Sequence, residues 1–153
     1  MQLPKGVTGF YGRGEAEPPT VDTKQFTAVC HYAVRSIGGK VLKIDTAMIY
    51  RNYCRADIQF ANGTLRQIVC NTYHPLIAIG LEAQEGEFYP HFVDEPALAA
   101  ALSALGGFEV LNTQVLDVFP DTVNTALLGK AEREQVNYWK PDTIGKILFN
   151  HWD

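Results

Sequence analysis

The sequence predicts an α+β protein in which one helix precedes an antiparallel sheet and further helices follow the sheet. Three features indicate this order: a helical apolar stripe near residue 30, an Asn-Gly turn between two strand-like runs, and several helix-capping residues after residue 93. Segregated strands and helices are typical of this fold class. At 153 residues the chain has the length of one domain. We therefore expect a single domain over residues 1–153, with an irregular N-terminal arm over residues 1–20.

The first predicted helix follows Val21. Its apolar residues recur at i, i+3, i+4, i+7, i+8 and i+11, so they share one helical face. These residues are Phe26, Val29, Cys30, Ala33, Val34 and Ile37. Asp22 or Thr23 can cap the start, and Gly38-Gly39 can end the helix. Strand alternation through 26–34 is the competing interpretation, but caps at both ends favour a helix.

Residues 40–83 predict the sheet. Asn62-Gly63 separates the runs 54–60 and 64–72, and this dipeptide favours the positive φ angles of a type I′ turn. We therefore expect a central hairpin over about residues 54–72. Pro75 cannot donate to a β ladder, so a bend is expected before a strand over 76–81. Shorter strands are expected from Val41 to Tyr50 and from Glu87 to Val93.

The second half predicts helices that cover one face of this sheet. Asp94-Glu95-Pro96 combines a capping side chain with proline in the first turn, and Gly106-Gly107 can end that helix. The elements expected after it are a strand over 108–111, a brief helix over 112–119, a helix over 121–134 weakened by Gly129, an extended segment over 136–139, and a final helix from 142.

Charge and composition exclude several functions. The chain has 13 Lys and Arg against 17 Asp and Glu, a net charge of −4, whereas nucleic-acid binding requires a basic surface. No apolar run approaches the roughly 18 residues of a membrane span, and the first residues do not resemble an export signal. The three cysteines, Cys30, Cys54 and Cys70, form no Cys-x-x-Cys pair and are typical of buried, reduced thiols. We expect a cytoplasmic protein that binds neither nucleic acid nor membranes.

No motif predicts catalysis, a metal or a cofactor. The sequence contains no Gly-x-Ser-x-Gly, Walker or His-Glu-x-x-His pattern, which are the short signatures of common catalytic sites. Gly12-Arg13-Gly14 lacks the preceding strand of a dinucleotide site. Cys54, Cys70 and His74 form a conceivable zinc set, yet they lack the short paired spacings of zinc ligands. We therefore expect a protein without enzymatic activity.

An enzyme or ligand-binding domain is the alternative. Its pocket would lie near His74, His91, Cys70 and Asp57. At least three of these groups would have to lie within about 4–6 Å to change each other's pKa. Strand alternation instead places Asp57 outward, on the face of Arg55.

Aromatic and acidic residues indicate a protein-binding surface. The seven Tyr and two Trp are residue types that dominate interfaces. Carboxylates are concentrated in the second half, where helix capping is the competing explanation for several of them. An acidic patch rimmed by aromatics would attract a basic protein. The candidate partner-binding residues are Asp117, Asp121, Tyr138, Trp139, Asp142 and Trp152.

Two segments resemble small bacterial immunity proteins of polymorphic toxin systems, such as contact-dependent or type VI secretion systems. The first runs from Phe92-Val93-Asp94-Glu95-Pro96 to Leu111, and the second from Tyr138-Trp139-Lys140-Pro141-Asp142 to Asp153. Size, acidity and the α+β order agree with this resemblance. It implies a cytoplasmic protein that binds a cognate toxin domain and occludes its active site, without catalysis or cofactor. A homodimer joined through the aromatic C-terminal segment remains an alternative.

Overall fold

The computed structural model of the protein describes residues 1–47 and 50–152. Within these ranges the helices are α1 (Thr23–Ser36), α2 (Pro96–Ala104), α3 (Thr113–Leu116), α4 (Thr122–Thr125), α5 (Lys130–Trp139) and α6 (Ile144–Leu148). The strands are β1 (Lys40–Asp45), β2 (Tyr53–Gln59), β3 (Leu65–Asn71), β4 (Leu76–Leu81) and β5 (Glu109–Val110). The predicted α+β order of helix, sheet and further helices is confirmed.

Helix α1 begins and ends where its caps predict. The Asp22 carboxylate accepts hydrogen bonds from the backbone N–H groups of Lys24 and Gln25. At the other end Gly38 has a φ of 81°, the left-handed conformation that glycine adopts without steric cost. The apolar stripe is buried from Phe26 to Val34. The helical interpretation of this segment is confirmed.

The five strands form one sheet in sequence order. Strands β1 to β4 are antiparallel neighbours, as predicted. Strand β5 lies parallel to β4, because helix α2 carries the chain back across the sheet between them. The sheet is therefore mixed.

The central hairpin is confirmed, but its turn differs from the prediction. Cys54 lies opposite Cys70 in the pairing of β2 with β3. Gly63 has a φ of 89°, whereas Asn62 has no positive φ, so the type I′ prediction is wrong. The N–H of Gly63 donates to the carbonyl of Phe60, which is the pattern of a three-residue loop with a glycine bulge.

Three other expectations about secondary structure need correction. Residues 87–93 contribute only a single bridge, between Phe92 and Gly80, and are otherwise irregular. Residues 136–139 belong to α5, which begins with the strong helix formers of 130–135, and Lys140 ends it with a φ of 49°. The helix expected over 121–134 is divided, because Gly129 is the N-cap of α5. The expected continuation of β1 through Met48-Ile49 falls outside the described residues.

The sheet separates two hydrophobic cores. The first core lies between the sheet and helices α1 and α2, and it includes Phe26, Ile58 and Leu102. The second core lies on the opposite face, where the N-terminal arm, α3 and α6 contribute Leu3, Leu116 and other residues. The helices of the second half thus divide between the two faces. None of the helices described is long and apolar enough to cross a membrane.

The N-terminal arm is integrated into the second core. Residues 1–20 form no helix or strand, yet Leu3 and Val7 are completely buried. These two residues fix the arm, whereas the aromatic Tyr11 is exposed and Phe10 is only half-buried.

Candidate protein-binding surface

A groove of about 470 Å³ lies between the 87–92 loop and the ends of α3 and α6. We call it the 87–92 groove. Its lining residues are Glu87, Phe88, Tyr89, Pro90, His91, Phe92, Asp117, Thr143 and Lys146. The loop is held in place because the N–H of Leu81 donates to the His91 carbonyl and the N–H of Val93 donates to the Ile79 carbonyl. The groove therefore has a fixed wall.

Gly145 permits the loop to pack closely on α6. A Cβ at this position would lie 2.5 Å from the ring of Phe92, which is closer than side chains tolerate. On the outer wall, the exposed ring of Phe88 packs edge-on against His151, with 6.2 Å between the ring centroids. Burial lowers the pKa of His151, and the charges of nearby arginines lower it further. Phe88 therefore packs against a neutral imidazole at pH 7.

Four aromatic side chains form a continuous row that ends in the groove. Tyr138 packs edge-on against Trp139, with 5.3 Å between centroids. Trp139 stacks on Trp152 at 6.1 Å, with an interplanar angle of 3°. The indole N–H of Trp152 donates a 3.0 Å hydrogen bond to the Tyr89 hydroxyl. This aromatic row connects helix α5 to the lining of the groove.

Lys146 connects the aromatic row to the predicted carboxylates. Its ammonium group lies 5.1 Å from the centroid of the Tyr89 ring and 2.8 Å from the Asp142 carboxylate. The hydrogen bond and the charge of Lys146 hold the pKa of Asp142 below its ordinary value. Asp117 lines the same groove. The structure therefore joins Tyr138, Trp139 and Trp152 in one row that reaches the groove, and it places Asp117 in the groove lining and Asp142 on Lys146.

The predicted residues differ in what they can contact. Tyr138 is 76% exposed, whereas Trp152 is only 4% exposed, so Trp152 supports Trp139 from the core instead of meeting a partner directly. Asp121 does not line the groove; its carboxylate accepts a 2.9 Å hydrogen bond from the Asn124 N–H. This bond caps α4. Helix capping, which was the competing explanation for the carboxylates of the second half, therefore accounts for Asp121.

Two residues of this surface were not selected from the sequence. Tyr89 was expected within a strand, and only the fold brings it next to Trp152, 63 residues away. Lys146 could have been found from its spacing, because it follows Asp142 by four residues and oppositely charged residues at this spacing meet on a helix.

The residues of the alternative pocket lie in separate environments. Cys70 is buried in the first core. Asp57 lies on the other face of the sheet, with its carboxylate 3.3 Å from the Arg55 guanidinium. His74 hydrogen-bonds to the N-terminal arm, and His91 lines the 87–92 groove. The structure does not bring these four side chains together.

The cysteines are buried and unpaired with one another, which agrees with the sequence prediction. Burial raises the pKa of Cys30 to about 12, and it raises the pKa of Cys70 strongly. Since the thiolate is the nucleophile and the metal ligand, burial suppresses both types of chemistry at these positions. Over residues 1–47 and 50–152, no group of three or more His, Cys, Asp or Glu side chains is arranged to hold a metal ion.

Comparison of the chain with protein-family models found no match. Comparisons with curated proteins and with solved structures also found no match. The function of the chain is therefore inferred from the residues of the 87–92 groove and the aromatic row, and from the surfaces next to them.

Proposed function

We propose that this protein is a cytoplasmic immunity-type protein that binds a cognate bacterial toxin domain and neutralises it by occluding its active site. The observation that supports the proposal is the chain of side-chain contacts that links Tyr138 and Trp139 to the groove, where Lys146 holds Asp142 and Asp117 is part of the lining. Residues of these types were expected at a protein interface from the sequence alone, and their positions are compatible with contact to one partner.

The aromatic row supports binding because it combines an indole that is held in place with an exposed ring beside it. Trp139 is fixed by stacking on buried Trp152 and by a 3.0 Å hydrogen bond from its indole N–H to Gln135. Tyr138 packs edge-on against Trp139 and is otherwise exposed. A side chain that is already ordered loses less entropy on association than a mobile one. Trp139 is therefore ordered before a partner binds, and the exposed ring of Tyr138 beside it offers contact area.

The charges of the groove favour a basic partner. Lys146 is already paired with Asp142, and His91 is paired with Glu87 at 3.0 Å. Asp117 is exposed and lines the same groove. The net charge of the chain is −4. Acidic surfaces accelerate association with basic proteins and disfavour acidic ones.

The test has two steps: a gene beside this one must encode a toxin domain, and that purified domain is titrated with this protein by calorimetry. The absence of such a gene would count against the proposal. We expect the wild-type protein to bind this toxin domain, and Tyr138→Ala to weaken binding by about 30-fold, the loss typical of an aromatic hot spot. Tyr32→Ala is the matched control. Tyr32 is 60% exposed but lies on α1, on the other side of the sheet.

Equal unfolding temperatures for both variants would show that Tyr138→Ala acts on the interface. If the wild-type protein and the toxin domain do not associate, the proposed function is wrong. If Tyr138→Ala and Tyr32→Ala bind equally well, the aromatic row is not the binding surface.

A further inference from the structure

A second exposed surface lies next to the groove, and it is apolar. We call it the 118–127 surface. Its large side chains are Val118, Phe119, Val123 and Leu127, which are 45%, 73%, 61% and 51% exposed. The four exposed apolar side chains lie within ten consecutive residues, and large exposed apolar areas on soluble proteins mark interaction sites. None of the four was selected from the sequence.

The backbone beneath this surface is firmly held. The N–H of Ile144 donates to the carbonyl of Val118, and the N–H of Leu3 donates to the carbonyl of Asn124. The flanking residues Leu116 and Leu128 are buried in the second core. The apolar side chains are therefore presented outward on a fixed support, and their exposure does not follow from a loose chain.

The charges around the surface are asymmetric. Asp117 and Asp121 flank Phe119, and both are exposed. At the opposite end, Arg133 donates to the carbonyl of Leu128, and the Lys5 side chain lies close to Gly129. Cations therefore lie at that end of the surface, whereas neither Asp117 nor Asp121 forms a salt bridge with any of the described residues. The uncompensated charge is negative and lies beside Phe119.

We infer that the 118–127 surface is a hydrophobic anchor for the toxin domain, and that the partner presents an apolar patch bordered by Lys or Arg where it meets Asp117 and Asp121. This inference rests on the proposed function. Asp117 belongs to both surfaces, so the groove and the 118–127 surface adjoin. A second copy of this chain fits less well, because it would bring its own uncompensated carboxylates to the contact without matching cations.

The experiment uses the same toxin domain with the double variant Phe119→Ser Val123→Ser. We expect binding to weaken by at least about 100-fold, because two central apolar anchors are lost. The control is the double variant Tyr32→Ser Leu105→Ser, which removes two exposed apolar side chains on the first-core side. It should bind as the wild type does. Since the replaced side chains are exposed, all these proteins should unfold at similar temperatures.

A second variant tests the charge. Asp121→Asn removes the carboxylate but keeps a capping residue of equal quality. We expect its association rate to fall by about 3-fold to 10-fold at low salt, and the difference to disappear at high salt, where screening is strong.

The outcomes separate the inference from the proposed function. If the double variant Phe119→Ser Val123→Ser binds as tightly as the wild type while Tyr138→Ala is weakened, the inference is wrong and the proposed function stands. If the wild type does not bind the toxin domain, both are wrong. If sedimentation shows a wild-type dimer that this double variant dissociates, and toxin does not displace the second copy, the surface belongs to self-association and the inference is overturned.

Discussion

The two faces of the sheet are stabilised in different ways. The first core is built from apolar side chains and three thiols contributed by two regular helices and the sheet. The second core combines apolar residues with buried polar ones, among them Asn52, Asn71, Glu132 and Asn150. The second core therefore incorporates irregular backbone, whose buried N–H and C=O groups need partners that no helix or strand supplies.

Asn71 shows how these partners are supplied. Its amide N–H₂ donates to the carbonyls of Val7, at 2.9 Å, and Leu148, at 2.7 Å. Its amide oxygen accepts hydrogen bonds from the N–H groups of Tyr73 and His74. One side chain thus joins the arm, strand β3 and the end of α6.

Glu132 is a second buried polar residue that holds the N-terminal arm in place. Its carboxylate accepts hydrogen bonds from the N–H groups of Gly6, Thr8 and Gly129 and from the Thr8 hydroxyl, at distances between 2.6 and 3.1 Å. The residue is 1% exposed. A buried carboxylate is tolerable when its oxygens are saturated by donors in this way.

The largest expected effect is that of Glu132→Ala. It leaves four donors without their acceptor, so we expect the free energy of unfolding to fall by about 4 kcal/mol. Glu134→Ala, on the exposed side of the same helix, should change it by less than about 0.5 kcal/mol. Urea denaturation of both variants measures the difference. Equal losses would show that the arm does not depend on this carboxylate.

A smaller contrast is expected between two neighbouring residues of β3. Asn71→Ala should lower the free energy of unfolding by about 3 kcal/mol, since it removes four hydrogen bonds in the second core. Cys70→Ala removes one sulfur atom from the first core and should cost only about 1 kcal/mol. The same denaturation experiment measures both. A larger loss for Cys70→Ala would contradict the proposed difference between the two cores.

The sequence predicts the first core well because the apolar patterns that indicate this core are local. The apolar stripe of α1 repeats every three to four residues, and the buried positions of β2 alternate. In both elements this regular spacing alone places the apolar side chains on the face that meets the core. The preference of the Asn-Gly dipeptide predicted a two-residue turn at Asn62. The loop in the structure has three residues, and this length fits the pairing of β2 with β3. Local propensity therefore located the hairpin but not its turn geometry.

The second core is harder to predict because its buried groups do not follow an apolar period. In α5 the fully buried residue is Glu132, so the helix does not show a hydrophobic stripe, and its end was expected to be extended. The partners of Glu132 lie 124 and 126 residues away at Thr8 and Gly6. No local pattern identifies such pairs.

The candidate site was predictable in part. The residue types of Tyr138, Trp139 and Asp142 indicate an interface, and the fold links the two aromatic residues to the groove through Trp152 and Tyr89. Burial separates their roles, since Trp152 is a support and Tyr138 is exposed. The apolar surface around Phe119 was not predicted, because Phe119 was expected at the end of a helix over 112–119, whereas α3 ends at Leu116 and leaves Phe119 exposed.

The most direct test of the proposed function is a titration of the toxin domain's activity with this protein. We expect activity to fall to its residual level at equimolar protein, because occlusion of the active site requires one molecule for each toxin molecule. Tyr138→Ala and the double variant Phe119→Ser Val123→Ser should require a clear excess to reach the same inhibition. Full toxin activity in a large excess of folded wild-type protein would contradict the account.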